Sequence, residues 1–223
     1  MEISTHRLPG LVLTGHEFTL PLDYAHPAGE QITVFARAVV ATSQERADLP
    51  WLVFFQGGPG SGAPRPSENS GWLKRALQEY RVLLLDQRGT GRSTPVTAQT
   101  LARFATPQAQ ADYLKHFRAD NIVRDAEQIR MTLVDQDQPW SALGQSYGGF
   151  CLVHYLSAAP SGLREVIITG GLPPLARPAL LANRPDWLNP VLIMAITGLV
   201  TMQLIYYLCW DFEFISKRRN SQK

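Results

Sequence analysis

The segment Gly144-Gln145-Ser146-Tyr147-Gly148 sets a serine between two glycines, one two residues before it and one two residues after. Small residues there let a strand turn sharply into a helix, which strains the central residue and lifts its hydroxyl to the carboxyl end of a sheet. Such a hydroxyl suits attack on an acyl carbon, provided a base takes its proton. Of the five histidines, His6, His16, His26 and His116 precede Ser146 and only His154 follows it. Eight residues of helix amount to roughly 12 Å at about 1.5 Å per residue, too far for the direct hydrogen bond of a general base. His154 therefore reads as a helix-surface or core histidine. The sequence displays a catalytic serine and no identifiable triad aspartate or histidine.

Acyl transfer also needs backbone N–H groups aimed at the oxygen where negative charge develops. One donor is expected from the residue after the nucleophile, Tyr147, and the other from a loop that follows a buried strand. Gln56-Gly57-Gly58-Pro59-Gly60 fits that loop, with Gly57 or Gly58 as the donor. Without the chemistry, the same residues read as a plain Gly/Pro turn. Asp86 ends another apolar run, in Asp86-Gln87-Arg88-Gly89-Thr90-Gly91-Arg92-Ser93. It reads as a structural acid that pairs with Arg88 or caps loop amides rather than as a catalytic one.

The elements that must hold these residues follow from hydrophobic patterning. Trp51–Phe55, Arg81–Leu85, Trp140–Leu143 and Glu165–Thr169 read as short strands, and runs such as Val82–Leu85 and Val166–Ile168 are continuous rather than alternating, as expected of strands covered on both faces. Glu17–Leu22 and Gln31–Val40 read as two earlier strands joined by the polar turn of residues 23–30. Helices are expected over Trp72–Tyr80, from Phe150 to Leu156, and over Asp120–Val134 with Asp120 as its cap. In the last of these, Arg124, Asp125, Glu127 and Arg130 read as a solvated face.

Three segments, Phe55-Gln56-Gly57-Gly58-Pro59-Gly60, Leu85-Asp86-Gln87-Arg88-Gly89-Thr90-Gly91-Arg92-Ser93 and Gly144-Gln145-Ser146-Tyr147-Gly148-Gly149, together resemble the proline iminopeptidase (prolyl aminopeptidase) family of α/β-hydrolases. The resemblance runs from about His16 to about Ala176. It implies the N-terminal part of an α/β-hydrolase fold, a mostly parallel sheet with flanking helices. It further implies a serine aminopeptidase that releases proline from the amino end of peptides through an acyl-enzyme on Ser146, with no metal or organic cofactor. Members of that family continue past a strand like Glu165–Thr169 into a helical cap, whose acidic residues hold the substrate amine, and then into the loops that bring the acid and the histidine. Beyond Pro174 this sequence offers only Asp186 and Asp211 as aspartates. The expectation is a truncated hydrolase, inactive alone, whose last strand leaves an apolar edge open to oligomerisation. The alternative is a non-catalytic, membrane-anchored protein that keeps the front half of the fold.

Composition narrows the remaining classes. A net charge of +2 and the lack of a basic stripe interleaved with aromatics give no case for nucleic acid. The two cysteines, Cys151 and Cys209, lie in apolar stretches and do not make a disulfide framework. Residues 1–10 lack a basic and then apolar leader, which points to a cytoplasmic body. The domains expected are a partial hydrolase over 1–176, a linker over 177–189, an apolar helix over 190–212 and a basic polar tail over 213–223. From Trp187 to Trp210 there is no charged residue, and about 20 helical residues span a bilayer core. Tyr206, Tyr207 and Trp210 would sit at an interface, followed by Lys217-Arg218-Arg219. Three origins fit this tail: a membrane segment through 190–210, a buried helix, or unrelated sequence joined near Ala176 by a frame change, splicing or assembly error.

Overall fold

The computed structural model describes residues 1–134 and 138–170. The linker, the apolar helix and the basic tail expected after position 176 lie outside the described residues.

Three strands open the chain, β1 (Glu2–Leu8), β2 (Leu11–Pro21) and β3 (Gln31–Ala41), paired antiparallel in succession. β4 (Trp51–Phe55) leads through helix α1 (Gly71–Ala76) to β5 (Arg81–Asp86). Two short helices, α2 (Ala98–Ala102) and α3 (Pro107–Leu114), precede the long α4 (Ala119–Leu133). β6 (Trp140–Gln145), α5 (Tyr147–Ala158) and β7 (Leu163–Thr169) complete the described chain. The seven strands form one sheet in the order β1-β2-β3-β5-β4-β6-β7. β5, β4, β6 and β7 run parallel, so the loops after their carboxyl ends gather on one edge of the sheet.

Why β4 is apolar at every position is visible in its packing. Val53 and Phe55 join the core under α4 and α5, together with Leu83, Leu85, Ala142, Ile129 and Leu152. Leu52 and Phe54 face the opposite layer, with Leu73 and Leu77 at α1 and beyond it. Successive side chains of a strand point to opposite faces, so a strand covered on both sides has no polar position to spare. β2 reaches further back than its expected start at Glu17, because Leu11, Val12 and Leu13 are buried against β3. β1, α2 and α3 were not legible from periodicity.

Two readings of α4 are corrected. Its cap position is Arg118, in extended conformation, and Asp120 lies inside the first turn instead of capping it. The charges read as a solvated face are divided. Arg124 is exposed, but Asp125 is 1% exposed and Arg130 6%. Asp125 receives Arg88 Nε at 2.7 Å and a second guanidinium nitrogen at 2.5 Å, with the Tyr24 hydroxyl at 2.8 Å. Arg130 holds Glu127 through two nitrogens at 3.0 Å each, and Glu127 also accepts from the Tyr155 hydroxyl. Charges survive burial only with partners of this kind.

At the far edge of the sheet, β7 is thinly covered. Val166 is buried, whereas Ile167 is 41% exposed. Among the described residues, no helix is long and apolar enough to cross a membrane.

Candidate active site

β6 runs to Gln145, and α5 begins at Tyr147 with Ser146 as the residue between them. Ser146 has φ 52° and ψ −114°, and among the described residues it is the one non-glycine with positive φ. An L-residue held there is strained by of order 1–3 kcal/mol, a cost that persists only where the surroundings enforce it. The surroundings are identifiable. The Ser146 N–H donates to the carbonyl of Thr169, the last residue of β7, at 2.8 Å, and the Ser146 carbonyl accepts from Phe150 N–H at 3.1 Å. Gly148 presses against β4 so closely that a β-carbon there would collide with the carbonyl oxygen of Phe55. The side chain of Ser146 is exposed and makes no hydrogen bond among the described residues.

The glycine loop after β4 comes to the same place. A β-carbon on Gly57 would lie 3.2 Å from Cβ of Ser146 and 3.1 Å from the carbonyl oxygen of Gln145, a tight fit that would press on both. A β-carbon on Gly58 would instead face the backbone nitrogens of Gly60 and Ser61, away from the serine. Of the two expected donors, Gly57 is therefore the one brought against Ser146. Neither its N–H nor that of Tyr147, the first residue of α5, has a hydrogen-bond acceptor among the described residues. The Tyr147 amide is one of the orphan donors that open any helix. The ring of Tyr147 stacks on Phe150, with centroids 5.9 Å apart.

Asp86 is structural, by the second of the two routes the sequence left open. It is buried, and its carboxylate accepts from Ala63 N–H and Arg92 N–H, both at 2.8 Å. Its expected partner Arg88 turns instead to Asp125 and to the carbonyls of Leu22, His116 and Pro21. Gln87, between them, donates its side-chain amide to the Gln56 carbonyl at 3.0 Å. The sequence hinted at this only by a polar residue at the buried end of an apolar strand.

No imidazole reaches the serine. His154 sits half-buried in α5, two turns beyond Ser146, and none of the five histidines hydrogen-bonds to it. His26 pairs with Asp23 at 2.8 Å, in the turn after β2. Cys151, one turn into α5, is fully buried, and burial pushes its thiol up to about 12. Among the described residues no group of three or more His, Cys, Asp or Glu converges to hold a metal. Beside the carboxyl ends of β4 and β6 lies a cleft of about 280 Å³, whose walls include Gln56, Gln145, Phe54, Trp72, Arg65 and Glu68.

A mixed sheet with a parallel half, whose strand-to-helix turn carries a strained serine faced by a glycine loop, defines an α/β-hydrolase. Residues 50–198 match the α/β-hydrolase fold family, and the chain belongs to it.

Within that superfamily its sequence groups with the proline iminopeptidases. It is 58% identical over 173 residues to the proline iminopeptidase of Aeromonas sobria, covering 77% of this chain and 40% of that protein. With a proline iminopeptidase of Aspergillus aculeatus it shares 42% identity over 194 residues, 83% of this chain and 42% of the relative. A tripeptidyl aminopeptidase of Streptomyces coelicolor is 25% identical, over 72% of this chain and 35% of its own length. The chain thus spans about two fifths of the length of these two proline iminopeptidases.

Proposed function

We propose that Ser146 is the nucleophile of a peptidase that releases proline from the amino end of peptides. The observation that carries this reading is the strained φ of Ser146, the single non-glycine of its kind among the described residues, with the glycine loop packed against it at Gly57. Strain of that sort is kept where function uses it. The substrate class comes from the proline iminopeptidases to which the chain is similar.

In this reading Ser146 Oγ attacks the carbonyl carbon of the N-terminal proline, and the N–H groups of Gly57 and Tyr147 receive the oxyanion. Collapse breaks the peptide C–N bond. The serine proton passes by way of a base to the departing amine, and an ester to Ser146 remains. Water then cleaves the ester, which frees proline and restores the hydroxyl. The cleft beside Gln56 and Gln145 offers the peptide an aromatic wall at Trp72 and charged groups at Arg65 and Glu68.

The base is the step that this chain's own histidines do not supply. Loss of the histidine alone costs about a million-fold in turnover in a serine protease, while oxyanion stabilisation and binding leave about a thousand-fold over water. The chain by itself is therefore expected to turn over slowly, through Ser146. The test is release of arylamine from a proline arylamide by wild-type protein and by Ser146→Ala, with and without added imidazole as a proton acceptor. Slow release that imidazole accelerates, and that Ser146→Ala abolishes, is the expected result. Equal rates for the two proteins would leave a non-catalytic member of the fold.

A further inference from the structure

The amide of Gly57 belongs to a loop that has little means of holding its own orientation. Gly57, Gly58 and Gly60 lack side chains, and a peptide plane in glycine-rich backbone turns at small cost. Something outside the loop must fix it.

Gln87 is placed to do so. It is 4% exposed, and its side-chain amide donates to the carbonyl oxygen of Gln56 at 3.0 Å. The Gln56–Gly57 peptide is trans. In a planar trans peptide the carbonyl and the following N–H point in opposite directions. Fastening the Gln56 carbonyl therefore fixes the Gly57 N–H on the other side of the plane.

Gln87 itself is anchored. Its carbonyl accepts from the Thr90 N–H at 3.0 Å and the Thr90 hydroxyl at 2.7 Å. The preceding residue, Asp86, is clamped by two loop amides, and its carbonyl accepts from Ser93 Oγ at 2.5 Å. A buried glutamine amide without an acceptor is costly, so the bond to Gln56 is kept once the core closes.

We infer that Gln87 is a positioning residue, which aims the Gly57 amide at the oxyanion by holding the Gln56 carbonyl. The inference rests on the reading of Ser146 as the nucleophile, but the orientation of the Gly57 amide is measurable without turnover. Gln87→Met keeps the length and volume and removes the donor, and Gln87→Glu keeps the shape with an acceptor in its place at neutral pH.

The experiment records the backbone amide spectrum of the full chain, wild type and both variants, alongside Ser146-dependent release from a proline arylamide. In both variants the Gly57 signal is expected to broaden or move while the amides of β5 stay put. Release is expected to fall about ten- to a hundredfold in kcat with KM within about twofold, less than the loss of a whole oxyanion donor. A Gly57 signal as sharp and unmoved in Gln87→Met as in wild type overturns the inference, and so does a fall confined to KM. If Gln87→Met does not fold, Gln87→Glu decides by the same signal. If the wild type shows no Ser146-dependent release, the functional reading falls, and the Gly57 signal still decides whether Gln87 fixes the loop.

Discussion

The carbonyl oxygen of Phe55, the last residue of β4, occupies the space that a β-carbon on Gly148 would need. Two elements far apart in sequence thus meet backbone to backbone under the nucleophile, and the glycine is a packing requirement of the fold. Gly148→Ala is expected to destabilise the protein by about 3 kcal/mol or more, as overpacking against backbone does. Chemical denaturation checks this. At Gly57, where the nearest atoms would be 3.1 to 3.2 Å away, alanine is expected to cost less stability but to displace Ser146.

Relief of strain gives the opposite sign at the neighbouring position. Ser146→Gly removes the β-carbon from a residue at φ 52°, so it is expected to stabilise the fold by roughly 1 kcal/mol while abolishing Ser146-dependent release. A melting temperature that falls in this variant would contradict the assignment of strain to Ser146.

The buried pair of Arg88 and Asp125 has side chains 0% and 1% exposed. Removing one partner leaves an uncompensated buried charge, so Arg88→Met alone is expected to cost about 3–5 kcal/mol. Asp125→Leu in the Arg88→Met background should recover part of that loss. The pair is measured by unfolding the two single variants and the double variant in one denaturant series.

Cys151 makes the fold sensitive to alkali. Its folded pKa is raised to about 12 from 9.0, chiefly by burial, so the neutral thiol is favoured in the folded state. The associated stability is complete below about pH 9 and is lost as the pH rises toward 12, at about 1.4 kcal/mol per pH unit within that window. Tyr24, Tyr147 and Tyr155, all raised by burial, add to the same trend. Cys151→Ala is therefore expected to lose part, not all, of the alkaline destabilisation, read from melting temperatures between pH 8 and 11. At neutral pH Cys151 should resist alkylation until the protein unfolds.

What the sequence disclosed, and what it hid, divides along physical lines. The strands of the parallel half were legible because burial on both faces leaves no polar residue in Val53, Phe54, Leu83 or Leu84. The elbow and the glycine loop were legible because backbone contact demands glycine at fixed offsets from Ser146. Asp125 and Arg130 were misread because a helical wheel shows which residues share a face but not that a partner such as Arg88 waits in the core. The cap of α4 was misplaced by two residues, since Asp120 is as favourable inside a first turn as before it. β1 was missed because its outward pattern is nearly all exposed, and pairing with β2, not burial, keeps it in the sheet.

An exposed isoleucine on the last described strand gives a test of association. Ile167→Lys places a charge on a sheet edge, a device that discourages edge-to-edge pairing. The variant is expected to shift any self-association toward monomer in light scattering, with little change in melting temperature.

The hydrogen bond from the Ser146 amide to Thr169 joins the nucleophile to the final residue of β7, and Gly170 follows at once. Pulling on the chain just past that point would load this bond together with the one from the Thr169 hydroxyl to the Gly144 carbonyl. The serine is thus mechanically wired to the carboxyl end of β7, and a load applied at Gly170 would be felt within one residue of the bond that steadies the attacking group.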